Sequence, residues 1–258
     1  MFGSETRRSL PRLLIALTLI VSVFANGAKT SPSKYPTRKI AGISVVDTPL
    51  IRAAEKFAKQ HSNAAVYKHL MRSWLYGVLM VNANETLSQS VDMEVHAVAV
   101  LLHDLGWDTT GDSTLISKDR RFEVDGAIAA RDFIRSHKDG KHWKESRVQL
   151  VWDGIALHTE RTISFYKELD VQVLAKGIGM DFAGPAYGVA EDDYAAVAKA
   201  FPKYDLKSQV NSSIILLCET KPQTTYDTWM QPFGEHYVEG YAPKGKQRFD
   251  LIFQNLTG

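Results

Sequence analysis

The stretch Ala-Val-Leu-Leu-His-Asp-Leu-Gly at residues 99–106 constrains the fold more than any other part of the sequence. Its apolar residues predict the end of a buried helix, and Gly106 indicates where that helix stops. His103 and Asp104 are then adjacent at the polar end of the helix, where an imidazole and a carboxylate offer two neighbouring metal ligands. Such a pair is common in proteins, so a metal site needs further ligands from other helices.

The hydrophobic pattern of the whole chain predicts an all-α fold. Apolar residues recur at the spacing of amphipathic helices, and the alternation typical of strands is nearly absent. The first helix is expected to start at Asp47-Thr-Pro, where Asp or Thr can be the N-cap and Pro49 occupies the first turn. Further helices are predicted at about residues 64–81, 90–105, 122–138, 146–158, 165–180, 190–200, 206–220, 224–234 and 244–256.

Length and charge are those of a single globular domain. The chain has 258 residues, of which 45% are hydrophobic and 23% charged, enough to bury a sizeable core. Its net charge is +2, from 31 basic and 29 acidic residues, so no excess charge draws it to nucleic acid or to an anionic membrane. We therefore expect one helical domain at residues 43–258 and no nucleic-acid partner.

The amino-terminal residues predict export from the cell. Three arginines precede an apolar segment at residues 13–24, and small residues follow, which is the arrangement of a secretory signal peptide at residues 1–28. The apolar segment is shorter than the roughly 20 residues that span a bilayer, so we expect no membrane association after cleavage. Residues 29–42, rich in Ser, Pro, Lys and Thr, predict a flexible leader. N-glycosylation sequons fit a secreted protein and begin at Asn84, Asn211 and Asn255.

Two further residues are candidates to complete a metal site with His103 and Asp104. His69 lies inside the predicted second helix, where a polar side chain is costly unless it binds a partner. Asp181 follows a glycine-containing apolar segment that allows two helices to approach closely. Two imidazoles and two carboxylates suit Zn²⁺, Fe²⁺ or Mn²⁺, ions that acidify a bound water until it can act as a nucleophile. Asp153 is the alternative to Asp181 as the last ligand.

Four sequence stretches surround or follow these candidates. They are Val-Tyr-Lys-His-Leu-Met-Arg-Ser-Trp-Leu-Tyr-Gly (66–77), Leu-Leu-His-Asp-Leu-Gly (101–106), Arg-Phe-Glu-Val-Asp-Gly-Ala (121–127) and Val-Trp-Asp-Gly-Ile-Ala-Leu-His-Thr (151–159). In this order they resemble the HD-domain superfamily of metal-dependent hydrolases, and more closely its fungal subgroup similar to cyanamide hydratase. The resemblance covers most of residues 45–240 and implies the HD-domain helical bundle.

The resemblance also implies how the site is built. One divalent metal ion, with zinc or iron favoured, would be held by His69, His103, Asp104 and Asp181. Superfamily members with two metal ions carry a histidine at the position of Phe122, so a single ion is implied here. The match places His158 beside the metal as the candidate catalytic residue. The structural alternative for a histidine at a helix end is a bond to a backbone carbonyl.

Three functions are compatible with these residues. Cyanamide hydratase adds water across a carbon–nitrogen triple bond, so the resemblance implies a hydratase or hydrolase acting on a small nitrile-type or amide-type substrate. The alternative chemistry is hydrolysis of a phosphomonoester or phosphodiester, which calls for nearby cations. The candidates for those cations are Arg72, Lys118, Arg120 and Arg121. The third hypothesis is a secreted HD-fold protein that binds without turnover, and the presence of all four candidate ligands argues against it.

Overall fold

The structure, a computed structural model, describes residues 35–108 and 113–256 of the chain. The predicted signal peptide and the first part of the predicted leader lie outside these residues. The described residues form twelve α-helices and one two-stranded hairpin, which confirms the predicted all-α class. No helix among them has both the length and the apolar character needed to cross a membrane.

The helices follow the predicted order along the chain, with most boundaries shifted by a few residues. They are α1 (Pro49–Gln60), α2 (Ala64–Asn82), α3 (Glu85–Ser90), α4 (Met93–Leu102), α5 (Phe122–Ser136), α6 (Glu145–Leu157), α7 (Arg161–Ser164), α8 (Leu169–Ala183), α9 (Glu191–Ala200), α10 (Leu206–Thr220), α11 (Gln231–Tyr237) and α12 (Arg248–Asn255). The short helices α3 and α7 were not predicted, because six and four residues are too few to show a hydrophobic period.

A β-hairpin precedes the first helix. Strand β1 (Thr37–Ile40) pairs antiparallel with β2 (Ile43–Val46). The two-residue turn between them contains Ala41 and Gly42, both with positive φ, as tight hairpin turns require. The prediction that residues 29–42 form a flexible leader is therefore wrong for residues 37–42. The alternation that reveals the hairpin is too short to stand out beside a Ser- and Pro-rich segment.

Helix α4 lies at the centre of the core. All its residues from Glu94 to Leu102 are buried, and it packs against α1, α2, α6 and α8. A helix that is apolar on all sides must be covered on all sides, which explains why its polar end can be deeply buried as well. The residues that follow α4 are therefore enclosed by the surrounding helices.

Glycines bring α2 and α8 into close contact. A Cβ atom at Gly177 on α8 would lie 2.9 Å from the Ser73 carbonyl oxygen on α2, too close for any other residue. Asp181 lies about one turn beyond Gly177 on α8. The close helix approach therefore places the Asp181 carboxylate next to His69 on α2.

Helix α5 begins directly against the turn that follows α4. A Cβ atom at Gly106 would lie 2.0 Å from the Phe122 carbonyl oxygen, and one at Gly126 would lie 3.0 Å from the His103 carbonyl oxygen. Both glycines are needed for this contact. The contact between α5 and this turn fixes the backbone that carries His103 and Asp104.

His96 is buried in the contact between α4 and α2. Its side chain is 1% exposed, occupies the space left by Gly77 and donates from Nε2 to the Trp74 carbonyl oxygen at 3.3 Å. Burial lowers the pKa of His96 to about 4. His96 is therefore neutral in the folded protein across the physiological pH range.

We predict that His96 makes the fold less stable in mild acid. The unfolded chain takes up a proton at His96 near pH 6.5 that the folded chain rejects until about pH 4, so stability falls as the pH drops through this window. The loss between pH 7.5 and 4.5 should be on the order of 2 kcal/mol. Guanidinium unfolding should show a smaller pH dependence for His96→Gln than for wild type.

The control for this test is His142→Gln, because His142 is exposed. It should leave the pH dependence unchanged. Equal slopes for wild type and His96→Gln would contradict the assigned role of burial.

Candidate metal centre

Three side chains converge at the end of α4. His69 comes from the middle of α2, His103 is the C-cap of α4 and Asp104 follows it. The three are at most 2% exposed, and their ligand atoms all lie within 4.8 Å of one another. Asp104 Oδ2 is 3.1 Å from His103 Nε2 and 3.8 Å from His69 Nε2. The structure thus brings together three of the four ligands predicted from the sequence.

Three imidazoles have Nε2 near Asp104, and each of them is oriented by a hydrogen bond at its other ring nitrogen, Nδ1. In every case Nδ1 meets an oxygen that can only accept, so Nδ1 carries the proton and Nε2 presents a lone pair. The bonds join His69 to Asp181 Oδ2 (2.6 Å), His103 to the Val100 carbonyl (2.8 Å) and His158 to the Ile155 carbonyl (2.7 Å). The three lone pairs lie around the Asp104 carboxylate.

The polar atoms of this cluster lack partners that a protein interior normally supplies. Nε2 of His103 and both carboxylate oxygens of Asp104 are buried, and none has a hydrogen-bond partner among the described residues. Buried acceptors facing one another without a donor are what a divalent cation satisfies.

His158 lies just beyond this group. It is the C-cap of α6, it is 7% exposed, and its Nε2 is 3.9 Å from Asp104 Oδ1. Burial, together with repulsion from His103, lowers the pKa of His158 to about 4, so its ring is neutral. The hydrogen bond from Nδ1 to the Ile155 carbonyl is the structural role that the sequence also allows for a histidine at a helix end. Nε2 nevertheless faces the cluster and stays available for chemistry.

The comparison with known families agrees with this geometry. The family model described as HD domain matches residues 66–201, a range that contains all five of the predicted site residues. The chain belongs to the HD-domain family. HD domains are generally metal-dependent hydrolases that bind divalent metals, and the His-His-Asp cluster supplies a fitting site. Among curated proteins, none matches this chain.

Asp181 of this HD domain lies behind His69 rather than within the three-residue group. Its carboxylate accepts a hydrogen bond of 2.6 Å from His69 Nδ1 and two hydrogen bonds of 2.7 Å from Arg72 Nε and Nη2. Lys203 Nζ is 3.3 Å from Asp181 Oδ1. The hydrogen bonds from His69 and Arg72 hold the pKa of Asp181 far below its ordinary value in spite of its burial. The assignment of Asp181 as a metal ligand stays a prediction, and the contacts of Asp181 favour a role in orienting His69.

The other predicted residues take positions that support a single metal ion. Asp153, the alternative ligand, is bonded to Gln149 and paired with Lys167, away from the cluster. Phe122 is fully buried and its ring packs edge-on against the His158 ring at 5.6 Å. In the part of the chain that the structure describes, the His-His-Asp group is the one cluster of three or more metal-ligating side chains.

We predict that Asp181 orients a ligand and does not itself bind the metal. Asp181→Asn keeps an acceptor for His69 and loses the charge, so metal affinity should fall about 10- to 100-fold, as expected for loss of an orienting partner. Asp104→Asn should abolish binding, because it removes a ligand. Zinc affinity measured by competition with a chromogenic chelator distinguishes the two.

Asp153→Asn is the matched control and should bind zinc like wild type. Complete loss of zinc in both Asp104→Asn and Asp181→Asn, with Asp181→Asn still folded by circular dichroism, would make Asp181 a ligand as the sequence predicted.

Proposed function

We propose that this HD domain is a hydratase or hydrolase that directs water at a small uncharged nitrile-type or amide-type substrate, as the resemblance to cyanamide hydratase implies. The observation that carries the proposal is the free Nε2 of His158, which faces the cluster from a fixed and neutral ring. His69, His103 and Asp104 would hold the metal ion. When bound, a divalent ion would acidify water and polarise an electrophile, and so would supply the nucleophile.

His158 is suited to orient the attacking water. Its Nδ1 proton is committed to the Ile155 carbonyl, so Nε2 can accept a hydrogen bond from the water while its oxygen points at the substrate carbon. For a nitrile, the oxygen bonds to carbon, and one water proton ends on nitrogen. The resulting imidic acid rearranges to an amide, so no leaving group and no redox partner is needed.

The cations expected for phosphoester chemistry are engaged elsewhere. Each of the three candidate arginines is paired with a carboxylate, and Lys118 is exposed and does not line the pocket beside the cluster. The pairs are Arg72 with Asp181, Arg120 with Asp125, and Arg121 with Glu123 and Glu160. Paired cations offer little to a phosphate group, so the described pocket favours an uncharged substrate.

One observation supports the phosphohydrolase alternative. Arg161 lines the same pocket and is exposed at its mouth, where it could meet an anionic group. Phosphoester hydrolysis is therefore the second candidate function and must be assayed beside nitrile hydration.

We predict that His158→Ala retains the metal and loses turnover. Metal content should stay near the wild-type value, because three ligands remain, whereas kcat should fall by about a hundredfold or more. The assay set is cyanamide and acetonitrile on one side, and p-nitrophenyl phosphate and bis(p-nitrophenyl) phosphate on the other, with metal measured by elemental analysis.

The two sides of the assay separate the functions. Turnover of phosphates alone would replace the proposed function by its alternative, and metal binding without turnover of any substrate would favour the non-catalytic hypothesis. Loss of metal in His158→Ala as complete as in His103→Ala would show that His158 is a ligand.

We also propose that the chain is exported and glycosylated. Residues 1–28 carry the signal-peptide pattern, and Asn84 of the first sequon is exposed at the start of α3. Expression in a eukaryotic secretory host should give medium protein that begins near residue 26 or 29 and loses mass on N-glycosidase treatment. Protein that stays in the cell with Met1 intact would contradict export.

A further inference from the structure

A pocket opens beside the metal-ligating cluster. Its volume is about 620 Å³, and His69, His103, Asp104 and His158 form one side of it. This volume exceeds what a molecule of two or three heavy atoms would fill. The rest of the pocket must therefore be matched to some larger part of a substrate.

Aromatic rings form much of the remaining lining of the pocket. They are Trp107, Phe122, Phe182, Trp229 and Phe233, which we call the aromatic wall. Phe182 is 54% exposed and Trp229 is 38% exposed, although both border a cavity. Exposed rings in a pocket are favourable surfaces for an apolar ligand, because the ligand removes them from water.

Part of the aromatic wall comes from outside the matched family range. Trp229 and Phe233, together with the lining residue Val210, follow residue 201, where the match to the HD domain ends. The metal-ligating residues all lie inside the match. The carboxyl-terminal helices thus contribute to the surface that meets the substrate and add nothing to the metal cluster.

Trp229 is held in place by two kinds of contact. Its indole Nε1 donates to Glu123 Oε1 at 3.5 Å, and its ring packs edge-on against Phe122 at 6.4 Å and Phe233 at 6.0 Å. A ring fixed in this way is a preformed binding surface that loses little entropy when a ligand packs on it.

The aromatic wall carries no charge of its own. Arg161 is the one lysine or arginine among the described lining residues, and it is exposed at the mouth. Beside it, Glu160 is paired with Arg121. An anionic group packed against the aromatic wall, away from the metal-ligating residues, would therefore meet aromatic carbon and no side-chain cation.

We propose that the aromatic wall makes this pocket select an uncharged substrate that carries an aromatic ring or a comparably bulky apolar group. The ring would pack against Trp229 and Phe233, with its nitrile-type or amide-type group toward His158. The nature of the reactive group rests on the proposed function. The apolar selectivity rests on the pocket alone.

Equilibrium binding to the zinc-loaded full chain tests this proposal without turnover. The probes for calorimetry are benzamide, acetamide and 4-carbamoylbenzenesulfonate. Benzamide should bind at least about tenfold more tightly than acetamide, because its ring buries apolar surface that a methyl group lacks. It should also bind more tightly than 4-carbamoylbenzenesulfonate, which keeps the ring and the amide but places a weakly metal-binding anion against the aromatic wall.

Two variants of pocket-lining residues and one control sharpen the test. Phe233→Ala should weaken benzamide about tenfold and leave acetamide unchanged. Val210→Lys adds a cation beside the wall and should shift the preference toward 4-carbamoylbenzenesulfonate, which keeps the test valid should Phe233→Ala fail to fold. Phe253→Ala removes a ring of α12 that is 62% exposed and does not line the pocket, and should change nothing.

The outcomes separate this inference from the proposed function. Equal affinity for benzamide and acetamide, or tightest binding of 4-carbamoylbenzenesulfonate by wild type, would overturn the apolar selectivity. Selective benzamide binding by a protein that turns over no nitrile or amide would support the wall and refute the proposed function instead.

Discussion

A buried carboxylate that faces imidazole lone pairs is the interaction on which the rest of this site depends. Asp104 is 2% exposed, and the Nε2 atoms of three histidines lie 3.1 to 3.9 Å from its oxygens. All these atoms are acceptors, so each would be destabilising without a shared positive charge. A divalent cation would supply that charge, and the burial that makes these facing acceptors costly would make their interaction with the cation strong. Metal binding and the local fold are therefore coupled.

The orientation of the imidazoles arises in two ways. His103 and His158 are both C-caps, and each donates from Nδ1 to the carbonyl three residues earlier. The last carbonyls of a helix have no intrahelical partner, so a histidine placed there satisfies one of them and fixes its own tautomer. His69 is in the middle of α2, where the carbonyls are occupied, and it takes Asp181 of α8 instead. The orientations of His103 and His158 are thus set within one helix each, whereas that of His69 requires α2 and α8 to meet.

This difference explains which parts of the site could be predicted from sequence. The end of an apolar helix followed by His103-Asp104 is a local pattern, and the structure has the helix and the pair where the sequence predicts them, although α4 ends at Leu102 and not at residue 105. The contacts of Asp181 were not foreseen, since they depend on the close α2–α8 approach at Gly177 and on Arg72. A carboxylate near a metal site is a candidate ligand by composition; the partners of Asp181 favour a role in orienting His69, and its assignment as a ligand stays a prediction.

The same limit applies more strongly to the fold outside the HD match and to the pocket. The hairpin before α1 was missed because its pattern spans four residues in each strand. Trp229 and Phe233 look like any apolar residues of a carboxyl-terminal helix in the sequence, and α11 begins seven residues later than the predicted helix. Their use depends on packing across the molecule. Pocket walls assembled from several helices carry no periodic signal, whereas helix ends do.

One buried carboxylate connects the two halves of the pocket. Glu123, at the start of α5, accepts hydrogen bonds from Thr159 at 2.7 Å and from Trp229 at 3.5 Å. Its pairing with Arg121 keeps the pKa of the Glu123 carboxyl below the ordinary value despite burial. Thr159 directly follows His158, so the catalytic candidate and the aromatic wall share this anchor. A shift of Glu123 would move both sides of the pocket together. The distance between the ring-binding surface and the reacting group is therefore fixed by the HD core, even though part of the wall lies outside it.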